Sequence, residues 1–276
     1  MNGHRIVAAA MVYKDVAMAE DMASATGTTS GVGGELGGKW GRYVDRYRGG
    51  EDRSVVFRDM VLDDIRERGG NQTVLDIGCG EGFDSEFELQ ETIARASGRY
   101  IGVEPDTEIK LAPYSAEAHR CIFEEAPVAA NSVDVAFAVM VLEHLRRPQA
   151  FWDKVWEVLV DGGVFWGMTV DGRHWFCKAS LWTQRLRVKE YYLDMLRRTG
   201  SGGMYDNYAV HYQSNSPEQV KRYTRRFKSV ELINFLRVGQ CNSCFPKVLR
   251  GLVNRLERRA MQRGKPGVLL AIRVVK

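Results

Sequence analysis

The chain has 276 residues, of which 45% are hydrophobic and 27% charged, with a net charge of +4. This balance is typical of a soluble globular domain with a core of ordinary size. No apolar run approaches the roughly 18 residues of a membrane span, and the five scattered cysteines form no disulfide framework, so we expect a cytoplasmic protein.

The N-terminal segment has two parts. Residues 1–38 end in "ASATGTTSGVGGELGG", which has no apolar period and predicts a disordered arm or a flexible lid. After it, Trp40, Tyr43 and Tyr47 stand at helical spacing. These rings either dock a helix on the rest of the domain or belong to a lid that closes over a ligand, with Tyr43 reaching it. Residues 39–276 are expected to form one domain.

Strands and helices alternate after residue 53. Apolar positions predict a helix over residues 53–68, a helix over 83–96 with Phe83, Phe87 and Ile93 inward, and a helix over 148–160 that includes Leu159. The predicted strands are "TVLDIG", "YIGVE", "RCIFE", "VDVAFAVMVL" and "GGVFWGMTV". Strands that are almost wholly apolar and alternate with helices indicate a parallel sheet covered on both faces.

The C-terminal part departs from this alternation. Residues 172–216 are rich in aromatic side chains and arginine, which suits an insert that walls a substrate pocket. "FKSVELINFL" and "VLLAIRVV" predict two late strands. Between them, residues 237–266 predict a basic helical insert. Its apolar face holds Leu249, Leu252, Val253, Leu256 and Ala260, and its other face holds Arg250, Arg255, Arg258, Arg259 and Arg263.

Charge is concentrated at the C-terminal end. Residues 217–276 hold 15 Lys/Arg and 3 Asp/Glu, whereas residues 1–216 hold 24 and 32. A basic quarter favours an anionic neighbour, such as a phosphorylated substrate, nucleic acid, an acidic membrane surface or the chain's own acidic part. A solvated basic helix face explains the same composition.

The stretch "VLDIGCGEGFD" places Gly78, Gly80 and Gly82 directly after the first predicted strand. The spacing is G-x-G-x-G, which differs from the dinucleotide and phosphate-loop patterns. Asp76 and Glu81 would repel a pyrophosphate, but they suit a nucleoside that carries a sulfonium and an ammonium. Glu104 ends the second strand, where a carboxylate can accept both ribose hydroxyls.

With "VLDIGCGEG", "IGVEPD", "FEEAPVAANSVDVAFAVMVLEHL" and "LVDGGVFWGMT" in this order, residues 40–171 resemble the class I (Rossmann-type) S-adenosylmethionine-dependent methyltransferases. The resemblance implies an α/β fold with a doubly wound, mostly parallel seven-stranded sheet, a C-terminal antiparallel strand pair, and S-adenosylmethionine as the cofactor. It also implies cofactor contacts from the glycine turn, the second strand end, the segment after the third strand and the fourth strand end: Asp76, Gly78, Cys79, Gly80, Glu104, Pro105, Phe123, Glu124, Val139 and Met140. One departure is Ile122, which stands where the family has a polar residue for the adenine.

His144 follows the fourth strand at the carboxyl edge of the sheet, where ligands bind in such folds. An imidazole there can take the proton of a hydroxyl, or it can make a structural hydrogen bond at a helix end. His174, His211 and Tyr212 are reserve candidates. "VMVLEHL" also resembles metal-using O-methyltransferases, but Met140 replaces one metal-binding carboxylate, and Cys241 with Cys244 supplies half a tetrahedral site, so we predict no metal.

These features predict methyl transfer to the oxygen or carbon of a small-molecule acceptor, which the basic quarter suggests is anionic. A nucleic-acid methyltransferase, a cofactor-binding regulator without catalysis and an NAD oxidoreductase are the alternatives. Nucleic acid is disfavoured because no recognition module is evident. The sequence leaves the oligomeric state open.

Overall fold

The computed structural model describes residues 39–80, 82–83, 87–115, 117–185, 209–242 and 245–276. The predicted arm over residues 1–38, Glu81, the middle of the predicted insert and Cys244 lie outside the described residues.

The described helices and strands alternate as expected. The helices are α1 (Gly41–Arg48), α2 (Arg53–Glu67), α3 (Phe87–Ala96), α4 (Pro148–Val158), α5 (Trp175–Arg185), α6 (Pro217–Tyr223) and α7 (Lys247–Gln262). The strands are β1 (Thr73–Ile77), β2 (Arg99–Val103), β3 (Glu117–His119), β4 (Val133–Val139), β5 (Leu159–Val170), β6 (Ser229–Phe235) and β7 (Leu269–Val275). None of the helices in the described part of the chain is long and apolar enough to cross a membrane.

The seven strands form one sheet in the order β3-β2-β1-β4-β5-β7-β6. β1 pairs in parallel with β2 and β4, and β7 runs antiparallel to both β5 and β6. The predicted doubly wound sheet with a C-terminal antiparallel strand pair is confirmed. The strand order changes direction between β1 and β4. This point lies beside the turn that follows β1, and ligands bind at such points in open α/β sheets.

Both faces of the sheet are covered, which explains why its strands lack the alternation of a half-exposed strand. On one face, Phe57 of α2 packs edge-on against Trp166 of β5, with ring centroids 6.3 Å apart. On the other face, Phe151 of α4 packs against Phe165 of β5 at 5.8 Å. The central strands therefore bury side chains in two separate hydrophobic clusters.

Helix α1 is docked on the sheet. Trp40 lies edge-on against Trp166 with centroids 4.9 Å apart, and its Nε1–H donates to Glu231 of β6 at 2.7 Å. Tyr47 packs against Phe235 at 5.5 Å, and all three predicted rings of this helix are buried. The docked helix, rather than the lid, is the interpretation that these contacts favour.

Three local predictions were wrong. Phe83 is not helical, and the ring of Phe87 in α3 is 40% exposed and does not face inward. "RCIFE" follows β3 and ends in a single 3₁₀ turn, because the third strand is the polar edge segment Glu117–His119. Leu159 opens β5 instead of closing α4, since it pairs with Val133 of β4.

Candidate active site

The turn from β1 toward α3 is built on left-handed backbone. Gly78, Gly80 and Gly82 have φ values of 74°, 41° and 99°, a region that glycine enters at little cost. A Cβ added at Gly80 would lie 3.6 Å from Oε2 of Glu104. The turn therefore presents bare backbone directly beside that carboxylate.

Glu104 directly follows β2 and is completely buried. Its Oε2 accepts the backbone N–H of Gly80 at 2.9 Å, and its Oε1 accepts that of Asp106 at 2.9 Å. Burial raises the pKa of Glu104 to about 7, against the lowering effect of these two hydrogen bonds. Because each carboxylate oxygen keeps a further lone pair, the group can still accept hydroxyl protons from a ligand.

Asp76, at the end of β1, is also buried. Its Oδ2 accepts the side chain of Gln90 from α3 and the hydroxyl of Tyr100 from β2, the latter at 2.5 Å. Burial raises its pKa to about 7. Gln90 also donates to the carbonyl of Cys79 at 3.2 Å, so it holds both the aspartate and the turn.

Cys79 fills space within the turn. A Cβ added at Gly102 of β2 would come within 2.9 Å of its Sγ, so the sulfur occupies the room that this glycine leaves. Burial raises the pKa of the Cys79 thiol well above its usual range. These observations agree with a small apolar residue and give no thiolate for redox or nucleophilic chemistry.

The residues predicted for the adenine differ in what they offer. Pro105 and Glu124 are half-buried near the strand ends. The ring of Phe123 packs edge-on against Phe151 of α4 at 5.3 Å and is 4% exposed. The ring is therefore part of the core, so only Glu124 and the backbone at this position are left for polar contacts.

The end of β4 carries an unusual backbone conformation. Met140 has a φ of 56°, which is costly for a residue with a Cβ. Its N–H donates to the carbonyl of Met168 at 2.7 Å, and its side chain is buried beside half-buried Val139. Nη1 of Arg53, a buried arginine at the start of α2, lies 3.9 Å from Sδ of Met140. Sequence analysis missed Arg53, since nothing in its own helix indicates this neighbour.

His144 closes the short 3₁₀ turn after β4. Its Nδ1 lies 2.9 Å from the carbonyl oxygen of Ala209. A carbonyl oxygen only accepts, so in the neutral ring Nδ1 carries the proton and Nε2 carries the lone pair. The N–H of His211 donates to the carbonyl of Glu143 at 2.7 Å, and burial, with the charges of Arg146 and His144, lowers the pKa of His211.

A buried polar network supports this turn. Thr169 of β5 donates to Oε2 of Glu143 at 2.7 Å, and Nδ2 of Asn215 donates to Oγ1 of Thr169 at 2.6 Å. Among the described residues, Oε1 of Glu143 and Oδ1 of Asn215 have no hydrogen-bond partner. The network joins the ends of β4 and β5 to residues 209–216, and sequence analysis did not identify it.

His174 and Tyr212, two of the reserve candidates, are buried and poorly suited to act as a base. Nδ1 of His174 accepts the N–H of Phe176 at 3.3 Å, and burial lowers the pKa of this histidine to about 4. Tyr212 lies against Ser180 and Cys177, and burial raises the pKa of its phenol well above the usual range. Both side chains are therefore neutral over the physiological pH range.

Tyr43 is engaged by α2. Its hydroxyl donates to Asp63 at 2.5 Å and lies 3.3 Å from the carbonyl of Asp59, and burial raises its pKa to about 12. These contacts agree with a docked α1. They engage the Tyr43 hydroxyl, which the lid interpretation expected to reach the cofactor.

The described ranges contain no group of three or more His, Cys, Asp or Glu side chains that could hold a metal ion. Cys79, Cys121, Cys177 and Cys241 are free thiols.

Comparisons with known proteins concern the part of the chain that holds the turn after β1. Residues 75–167 match the family model described as a methyltransferase domain. An uncharacterized methyltransferase of Mycobacteroides abscessus is 34% identical over 105 residues, which cover 34% of this chain and 38% of the relative. A probable S-adenosylmethionine-dependent methyltransferase of Mycolicibacterium smegmatis is 32% identical over 112 residues, covering 39% and 41%. The chain therefore spans less than half the length of these curated relatives.

The fold has a solved counterpart. Geranyl diphosphate C-methyltransferase from Streptomyces coelicolor A3(2) superposes with a TM-score of 0.50 at 12% identity, covering 79% of this chain and 78% of that one. This likeness concerns the fold alone. The matched residues 75–167 form the centre of the sheet, and in sequence and fold this part of the chain is similar to the class I S-adenosylmethionine-dependent methyltransferases.

Proposed function

We propose that the chain transfers the methyl group of S-adenosylmethionine to the oxygen or carbon of a small-molecule acceptor. The observation that carries this proposal is the hydrogen bond of 2.9 Å between the Gly80 N–H and the buried Glu104 carboxylate. This hydrogen bond joins the glycine turn to the Glu104 carboxylate. The turn would leave room for the methionine part of the cofactor, and the carboxylate would accept the ribose hydroxyls. When bound, the cofactor supplies an electrophilic methyl group on a sulfonium.

His144 is the proposed base. The contact between its Nδ1 and the Ala209 carbonyl places the proton of the neutral ring on Nδ1, and Nε2 would take the proton of the acceptor. The turn that carries His144 is held by the Glu143 network, which limits its movement. Positioned proton removal of this kind contributes about 10²–10⁴-fold to a rate.

An anionic acceptor is supported by Arg53. Its guanidinium stays charged under all ordinary conditions and lies buried next to Met140, at the end of β4 where methyl transfer is proposed. A carboxylate or phosphate on the acceptor would form a charge-assisted hydrogen bond with this guanidinium.

A cytoplasmic location is also part of the proposal, because the four described cysteines are free thiols, as a reducing compartment keeps them. Fractionation of cells that express the tagged chain tests it, and recovery in an oxidising compartment would contradict it.

The experiment has two stages on the full chain. Calorimetry with S-adenosylmethionine, S-adenosylhomocysteine and NAD should show binding of the first two only. Transfer of a labelled methyl group should then be assayed on phenols, carboxylic acids, geranyl diphosphate, RNA and DNA. Cofactor binding with labelling of nucleic acid alone would replace the small-molecule proposal, and binding without transfer to any acceptor would favour the regulator.

Variants separate the roles once an acceptor is found. His144→Ala should lower turnover by about 10²–10⁴-fold with unchanged cofactor affinity, while His119→Asn, on the edge strand β3, serves as the matched control. Arg53→Met should raise KM for an anionic acceptor more than it lowers kcat. Full turnover of His144→Ala would remove His144 as the base and direct attention to His211.

A further inference from the structure

Helix α7 is attached to the domain through one narrow side. Val253 and Glu257 are its buried residues. The Glu257 carboxylate accepts the N–H of Gly239 at 2.5 Å and that of Cys241 at 3.1 Å. This side of the helix is therefore bound to the turn that follows β6.

The three leucines of the apolar face predicted for this helix point to solvent, whereas Val253 of the same face is buried. Leu249, Leu252 and Leu256 are 43%, 59% and 43% exposed, and Val248 is 88% exposed. Spacings of three and four residues align the three leucines in one stripe along the helix. Exposed aliphatic side chains that adjoin one another mark an interaction surface more often than a bare solvent face.

A stripe of arginines runs beside the leucines. Arg255, Arg259 and Arg263 follow one another at intervals of four residues and are exposed. Within the described ranges, none of the three forms an ion pair with a carboxylate. The outward face of α7, defined here as these three arginines with Val248 and the three leucines, is thus both aliphatic and strongly cationic.

We propose that this outward face docks on the surface of an anionic lipid bilayer. Leucine side chains would enter the boundary between headgroups and acyl chains, and arginines would reach the lipid phosphates beside them. Anionic lipids would supply negative charge beside the arginine stripe. A second copy of the helix would set arginines against arginines, and nucleic acid would leave the leucines in water.

The topology places the β6–β7 connection, which contains α7, at the active-site edge of the sheet. The segment that contains α7 leaves β6 at Phe235 and enters β7 at Leu269, and these two residues are paired. Leu269 also pairs with Val170, the last residue of β5. Because β1, β4 and β5 are parallel, this is the edge at which β1 and β4 end. Docking would bring that edge toward the bilayer.

Vesicle sedimentation with the full chain tests the proposal. Vesicles containing about half phosphatidylglycerol should bind the chain at least about ten-fold more strongly than pure phosphatidylcholine, and salt of about 1 M should reduce this difference. Leu252→Ser/Leu256→Ser should lower binding by about ten-fold or more. The matched control is Phe87→Ser, which changes an exposed ring on α3 and should bind like wild type.

Charge is tested separately. Arg255→Gln/Arg259→Gln should lower binding to anionic vesicles and leave the weak binding to neutral vesicles unchanged, with Arg95→Gln on α3 as the control. Circular dichroism and melting temperature confirm that each variant is folded. Failure of the wild type to sediment with anionic vesicles, or wild-type binding by the double-leucine variant, would overturn the proposal. So would leucine-dependent dimers in light scattering without vesicle binding, or tighter binding to a DNA duplex than to vesicles.

Discussion

The Glu104 carboxylate makes cofactor binding depend on pH. It is buried, its pKa is raised to about 7, and it accepts the N–H of Gly80 at 2.9 Å. A cofactor that carries positive charge and donates ribose hydroxyls binds best to the ionised form. We therefore expect affinity for S-adenosylmethionine to rise between pH 6 and pH 8, and we expect Glu104→Gln to remove much of this rise.

The magnitude follows from the titration. With a pKa of about 7, roughly one tenth of the Glu104 side chains are ionised at pH 6 and roughly nine tenths at pH 8, so affinity should rise about ten-fold. Asp76, with its pKa also near 7 and raised in part by the charge of Glu104, adds to the slope. In Glu104→Gln, loss of that charge also lowers the pKa of Asp76, which flattens the profile further. At pH 8 the variant should lose about 1.5–3 kcal/mol of binding free energy.

The assay is isothermal titration calorimetry of the wild type and Glu104→Gln at pH 6, 7 and 8. The control is Glu125→Gln, which neutralises an exposed carboxylate two residues after Phe123 and should keep the wild-type profile. Equal affinities and equal pH profiles for Glu104→Gln and wild type would refute the assignment of Glu104 to the ribose. A flat wild-type profile would refute the linkage to its pKa.

Three further predictions concern the turn, the α1 helix and a buried histidine. Gly80→Val, at a φ of 41° and with its Cβ close to Glu104, should abolish cofactor binding in calorimetry with little change in melting temperature, whereas Gly251→Ala, which meets no atom within 4 Å, should bind normally. Trp40→Ala should lower the free energy of unfolding in urea by about 3–5 kcal/mol, while Trp182→Ala, at a site 66% exposed, should change it by less than about 0.5 kcal/mol; equal effects would contradict docking of α1. The pKa of His174 is lowered from 6.5 to about 4. Between these pH values the unfolded chain binds a proton at His174 and the folded chain does not, so the free energy of unfolding falls as pH drops from about 6.5 to about 4. His174→Asn should remove up to about 3 kcal/mol of that loss, measured by urea unfolding at pH 7 and pH 4.5, and an unchanged pH dependence would count against a neutral buried His174.

Most strands could be predicted because their signals are local. β1, β2 and β4 are short apolar runs between turns, and burial on both faces of a parallel sheet produces such runs. β3 was misplaced because an edge strand of three half-buried residues needs no apolar run. The start of α3 was misplaced because Phe83 and Phe87 both fit the helical period, although only Phe83 is buried.

The same distinction holds for the site. Gly78, Gly80 and Glu104 could be identified because a glycine turn and a strand-ending carboxylate are visible within a few residues of sequence. Arg53 reaches Met140 across 87 positions, and Asn215 reaches Thr169 across 46. Such pairs exist only because the sheet order brings the ends of distant elements to one edge.

Helix α7 shows what the sequence alone determines and what only the tertiary structure decides. Its period predicts an amphipathic helix within residues 237–266, with an apolar face that includes Val253 and the leucines and a basic face of arginines. Which stripe faces the domain was decided by tertiary contacts, because the Glu257 carboxylate binds the N–H groups of Gly239 and Cys241. Val253 and Glu257 are buried on that side, and the two N–H groups satisfy the carboxylate that burial removes from water. The leucines therefore face outward, and the helical period alone cannot determine this orientation.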